Sequence, residues 1–139
     1  MTSSLDNYDA ASAGRRIEEF TELLSNWYVR RNRRRFWKSE NDHDKLSAHK
    51  TLYSCLVTLT KLLAPLTPFI SEELYQNLVR SADPHAPESV HLNNYPVSDS
   101  AQIDIRLSQA ARLAMKISSL GRSARSRAGI KVRQPISKA

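Results

Sequence analysis

Apolar positions along most of this chain recur every three or four residues, the spacing of one face of a helix. Ile17, Phe20, Leu24 and Tyr28 make the first such stripe, with Leu23 and Trp27 widening it and Glu18, Glu22 and Ser25 opposite. The pattern predicts an amphipathic helix from about Ala10 to Lys38, with Asp9 as its N-cap. Gly14 weakens the first turns without stopping them. After a polar, acidic turn from Ser39 to Asp44, with Asp42 or Asp44 as cap, a second helix places Leu46, His49, Tyr53, Leu56, Thr60 and Leu63 at three-four spacing. Leu52, Val57, Leu59 and Leu62 make it apolar on more than one side, as in a helix lying between neighbours. Pro65 ends it. Thr67 as N-cap and Pro68 at the first position start a third helix, with a packing face of Phe69, Ile70, Leu74, Tyr75, Leu78 and Val79.

Residues 81 to 98 contain three prolines and no helical period. A connection this long is expected to carry order of its own. Ser89-Val90-His91-Leu92 reads as extended and packed down, and Asn93 to Pro96 as a turn. A fourth helix starts near Ser98 or Asp99, with Ile103, Leu107, Ala110, Ala114 and Ile117 as its stripe. Beyond Gly129, Ile130-Lys131-Val132-Arg133 alternates like a strand until Gln134-Pro135 stops it. One strand is not stable alone, so a longer parent polypeptide is expected. The prediction is therefore an all-α fold, an antiparallel helical bundle of about four main helices with a truncated extended tail. Residues 1–120 form the helical domain, and residues 121–139 a basic linker and the start of a cut-off region.

Composition sharpens this in two ways. With 139 residues, the chain has the length of one domain, and its net charge of +7 favours a polyanionic partner. RNA, DNA and an anionic membrane all satisfy that charge. The membrane is the weakest of them, because no apolar run approaches a spanning length and no secretory signal opens the chain. Cys55 is the single cysteine, which excludes an internal disulfide framework and a multi-cysteine zinc site and fits a reducing cytoplasm. It falls within an apolar pattern and reads as a buried, inert thiol. His49 lies on the inward stripe without a second ligand at metal spacing and reads as a core histidine; His91 reads as structural.

The charge is concentrated. Residues 26 to 38 hold six cations and four aromatics, and no carboxylate occurs between Glu22 and Glu40. Cations interleaved with flat rings suit a nucleic-acid surface, although such a run also serves as a solvated helix end. At about 100° per residue, Arg31 and Arg35 continue the apolar stripe, where an unpaired charge is costly. They are structural ion-pair candidates, and Glu72 and Glu73 are the nearest expected partners. Arg30, Arg33, Arg34 and Trp37 fall on an adjacent face and, with Lys38, are the RNA-binding candidates; Trp37 either stacks a base or packs. After Asp104 there is no carboxylate but nine cations, among them the further candidates Arg122, Arg125 and Arg127. The adjacent Glu72 and Glu73 point about 100° apart on a helix and make a poor acid/base pair. No phosphate-cradling glycine loop, nucleophile–base pairing or metal-ligand cluster is present in the sequence. The chain therefore reads as one that binds or positions something, with no catalytic residue and no metal or cofactor of its own. A helical protein-interaction module with an acidic partner is the reading from a different class.

Ser25-Asn26-Trp27-Tyr28-Val29-Arg30-Arg31-Asn32-Arg33-Arg34-Arg35-Phe36-Trp37 resembles a segment of the anticodon-binding domain of the isoleucyl enzymes among class I aminoacyl-tRNA synthetases. Ala13-Gly14-Arg15-Arg16-Ile17 resembles the entry to that domain, and Leu63 to Tyr75 its Ala-Pro and Pro-Phe block. Ser89-Val90-His91-Leu92 and Ala128 to Pro135 resemble its late blocks, so the likeness covers nearly the whole chain. The Ala-Pro and Pro-Phe block is common to the isoleucine, valine, leucine and methionine enzymes. The arginine-rich segment points to isoleucine, with valine as the alternative. The resemblance implies a helical bundle that receives the anticodon stem and loop of an isoleucine-accepting tRNA. It implies a catalytic domain in the same polypeptide, which uses ATP and Mg2+, with or without Zn2+. The ATP signatures of the His-Ile-Gly-His and Lys-Met-Ser-Lys-Ser types do not occur in these residues, so the piece alone is expected not to aminoacylate.

Overall fold

A computed structural model of the chain describes residues 1–37 and 42–136. Among them the fold is all-α, with no strand. Contacts divide the chain into two compact units, residues 1–97 and 98–139.

In the first unit, α1 (Thr2–Asp6) leads through Tyr8, at φ 57°, into α2 (Ala10–Leu23). Asp9 caps α2 as expected, its carboxylate accepting the Ser12 N–H at 2.9 Å. The Ser12 side chain first, and then this backbone N–H, hold the Asp9 carboxyl below the ordinary aspartate range. The single long helix expected to run to Lys38 is instead composite. Leu24–Val29 is a π-helical turn, Asn32 interrupts the ladder, and α3 (Arg33–Trp37) completes the segment; Lys38 lies outside the described residues. Leu24 and Phe36 are buried, with Tyr28 and Asn32 half-buried between them, so the inward positions recur every four residues. An unbroken α-helix would carry that series off the core by about 40° per turn. The wider π turn and the break at Asn32, whose side-chain amide donates to the Tyr28 carbonyl at 2.8 Å, keep it facing inward. Phe20, 41 % exposed, lies at the edge of the stripe, while Ala13 and Ile17 are buried.

α4 (Asp42–Leu63) and α5 (Pro68–Tyr75) pack together, and α5 continues as a π-helical stretch, Gln76–Arg80. Thr67 and Pro68 start α5 as predicted. Its inward face differs from the expected one. Tyr75 is fully buried and Val79 packs against the core, but Phe69 is 90 % exposed, and Ile70 and Leu74 are also exposed. Polar anchoring accounts for the rotation. The Tyr75 hydroxyl donates to the Pro87 carbonyl at 3.0 Å, Gln76 to the Glu88 carbonyl at 2.7 Å, and Arg80 to the carbonyls of Pro84 and Ala86. One face of α5 is thereby tied to the proline-rich connection, and Val90, 2 % exposed, joins Ala64 and Tyr75 in the core. Of residues 89–92, expected to be extended and packed down, only Val90 is buried, and the segment forms the 3₁₀ turn Val90–Leu92; His91 and Leu92 are exposed. His49 departs from its expected core position: it is exposed, its ring edge-on to Phe36 at 5.1 Å.

Glu72 is the centre of that anchoring. Its carboxylate accepts from Gln76 at 2.7 Å, from the Ser89 hydroxyl at 2.7 Å and from the Val90 N–H at 3.0 Å. The Gln76 and Ser89 bonds hold its carboxyl below the ordinary glutamate value. A depressed carboxyl stabilises the fold fully above its unfolded pKa, and the contribution is lost as pH falls through the folded one. Glu72→Gln is therefore expected to lower the denaturation midpoint near neutral pH. The gap from the parent chain should close as pH is taken down to about 3. A gap that persists in acid would show that the clamp does not depend on the carboxylate charge.

The second unit begins with a 3₁₀ turn, Ser100–Gln102, capped by Asp99, and continues in α6 (Ile105–Arg127), capped by Asp104. The main helix thus starts later than Ser98 or Asp99 and runs through the expected boundary at residue 120. Within this unit the expected stripe of Ile103, Leu107, Ala110, Ala114 and Ile117 is exposed. At its end, Gly129 takes φ 66°, the Gly129 N–H bonds the Ser126 carbonyl at 3.1 Å, and the Ile130 N–H bonds the Arg125 carbonyl at 2.9 Å. This left-handed cap turns the chain away from the helix axis. The alternating segment 130–133 forms no strand, because the Gln134 N–H closes a turn onto the Lys131 carbonyl at 3.0 Å.

Candidate nucleic-acid interface

The arginine-rich segment is held against α4 by an aromatic cluster that the sequence pattern did not single out. Phe36, buried, meets Tyr28 and Trp37 edge-to-face, each at 6.2 Å. The Tyr28 hydroxyl donates to the Ala48 carbonyl at 3.1 Å. With Phe36 in the inward position, the neighbouring side chains of α3 are turned outward.

Arg35 takes a structural partner, but not one of those expected. Its Nε bonds Asp44 Oδ2 at 2.9 Å and its Nη2 bonds Oδ1 at 2.6 Å, a two-pronged fork. The acidic turn, read as a source of caps, returns the start of α4 beside α3, nine residues along the chain. The pairing holds the Arg35 pKa above and the Asp44 pKa below their ordinary values. Glu72 and Glu73 are occupied elsewhere, Glu72 on the connection and Glu73 accepting from Asn77 at 3.0 Å. Arg31 is exposed, its guanidinium over the Trp27 ring at 5.2 Å. The π turn explains why Arg31 left the stripe on which an even helical wheel puts it.

Arg30, Arg33 and Arg34 are all exposed. Among the described residues none of the three has a carboxylate partner. The Arg33 guanidinium lies 6.0 Å from the Trp37 ring, and Trp37, braced on one side by Phe36, is 69 % exposed. The first unit therefore presents a patch of exposed guanidinium groups beside an accessible indole.

In the second unit Arg122 and Arg127 are exposed. Arg125 is committed internally, donating to the carbonyls of Lys131 and Gln134, so it fixes the tail where free donation was expected. Sequence positions 1–97 carry twelve basic and twelve acidic residues, whereas positions 98–139 carry nine basic and two acidic. The entire net charge of +7 thus belongs to the second unit. The first is neutral overall and basic only locally.

Cys55 is half-buried, and burial raises its thiol pKa, the opposite of an activated nucleophile. Among the described residues no group of three His, Cys, Asp or Glu side chains is placed to hold a metal ion, and no helix is long and apolar enough to cross a membrane.

The chain is 69 % identical over 136 residues to an isoleucine–tRNA ligase of Dehalococcoides mccartyi, covering 98 % of this chain and 13 % of that protein. It is 52 % identical over 137 residues to the isoleucine–tRNA ligase of Clostridium novyi, covering 99 % and 13 %. It is 47 % identical over 137 residues to that of Thermus thermophilus, covering 98 % and 13 %. The chain thus spans about an eighth of the length of the curated relatives it matches. A family model described as the anticodon-binding domain of tRNA ligase matches residues 1–139. The chain belongs to the family of anticodon-binding domains of tRNA ligases.

Proposed function

We propose that this chain is the anticodon stem-and-loop binding part of an isoleucine–tRNA ligase. In this reading it seats an isoleucine-accepting tRNA so that a catalytic domain of the same polypeptide can attach isoleucine, using ATP and Mg2+ in the cytoplasm. The observation that carries the reading is the set of exposed guanidinium groups of Arg30, Arg33 and Arg34, without a carboxylate partner among the described residues, beside the exposed Trp37. Phosphate oxygens are the natural acceptors for those donors, and an indole face suits an unstacked base. The relatives named isoleucine–tRNA ligase support isoleucine over valine. The chain's own part is positioning. Arg30, Arg33, Arg34, Arg122 and Arg127 supply donors, while Arg35 and Asp44 keep α3 seated on α4.

Competition between isoleucine and valine tRNA transcripts for the chain at low salt tests the assignment. The isoleucine transcript should displace the valine one at lower concentration. Preference for the valine transcript would move the chain to the valine branch, and preference for an acidic protein over both RNAs would remove the RNA reading.

A further inference from the structure

α6 carries a second basic surface that the arginine-rich segment does not explain. At about 100° per residue, Arg112, Lys116, Ser119, Ser123 and Arg127 fall within roughly 80° of one another on the helix surface. All five are exposed. Leu113, Ile117 and Leu120 occupy a separate face, centred about 90° round. From Arg112 to Arg127 the row runs about 22 Å along the axis. No carboxylate occurs within α6. The two acidic residues of this unit, Asp99 and Asp104, precede the helix and are engaged as caps, accepting the N–H groups of Ala101 and Leu107.

We propose that this row is a phosphate track: Arg112, Lys116 and Arg127 pair with successive phosphates of an RNA backbone, and Ser119 and Ser123 donate hydroxyls between them. The inference rests on the RNA reading above and adds Arg112, Lys116 and the two serines to the surface that reading uses. Charge complementarity favours RNA, since the unit is strongly basic and its row has no internal counter-charge. Interleaved small hydroxyls suit sugar–phosphate oxygens. An anionic membrane surface would also take a basic face set opposite leucines, and the vesicle arm of the test separates it from RNA. Contacts of this kind position the RNA without reading its sequence, so the track is expected to be indifferent to the anticodon.

The test compares tRNA binding by the full chain with that of the triple variant Arg112→Gln, Lys116→Gln, Arg127→Gln over a range of salt. A control variant, Arg15→Gln, Arg16→Gln, Lys50→Gln, loses the same charge from the first unit. The track variant should keep its helical circular dichroism and lose about two to three from the slope of log affinity against log salt, with isoleucine and valine transcripts weakened alike. The control should keep the parent slope. An unchanged slope in the track variant, or an equal loss in the control, overturns the track. So does a track variant that loses binding to phosphatidylserine vesicles while its RNA binding is unaltered. If the track variant binds as the parent does while an Arg30, Arg33, Arg34 variant is weakened, the track alone falls. If the parent chain binds no RNA at low salt, both readings fall.

Discussion

Tyr75→Ala is expected to cost about 3–5 kcal/mol of stability, a large share of the roughly 5–15 kcal/mol typical of a whole domain. Tyr75 is fully buried and packs with Ala64 and Val90, and its hydroxyl holds the Pro87 carbonyl at 3.0 Å. Truncation would empty the only buried aromatic position of α5 among the described residues and release the connection that Gln76 and Arg80 also grip. Tyr75→Phe keeps the ring and removes the one bond, so its cost should be about 0.5–1.5 kcal/mol. Urea denaturation of the two variants separates packing from anchoring. Equal losses would mean that the hydroxyl, and not the ring, holds this face.

The second large effect concerns RNA. Replacing Arg30, Arg33 and Arg34 together with Gln should lower the salt slope of tRNA binding by about three, one per phosphate contact. The fold should stay intact, because none of the three bonds a carboxylate among the described residues. Arg35→Gln in contrast breaks the fork to Asp44, and its effect should appear first in stability. A triple variant that binds tRNA with the parent's affinity and slope would place the anticodon-side contacts elsewhere.

Much of this was legible in the residue pattern because local signals carried it. Asp9 and Pro68 act where their chemistry puts them, at helix starts. The exposed Arg30, Arg33 and Arg34 follow from a helical wheel that was close enough to place them off the stripe. What failed depended on register or on partners distant in sequence. An even period cannot foresee the π turn at Leu24–Val29, so Arg31 and Arg35 were set on the core stripe that Phe36 occupies. The four-residue spacing of Leu24, Tyr28, Asn32 and Phe36 was the available signal. The rotation of α5 was hidden for a different reason. Hydrophobicity favoured Phe69 and Ile70, whereas backbone carbonyls of residues 84–88, invisible to any count of apolar side chains, fixed the face. Arg125 shows the same limit, because a carbonyl partner leaves no mark in a charge tally.

The claim on which the rest stands is that exposed guanidinium groups on this helical chain engage a folded transfer RNA. A filter-binding titration of the 139-residue chain with an isoleucine-accepting tRNA, at low and at near-physiological salt, measures it most directly. The account predicts saturable binding that weakens steeply as salt rises, by counterion release at several phosphates. No saturable binding at low salt, or binding that does not respond to salt, would contradict it.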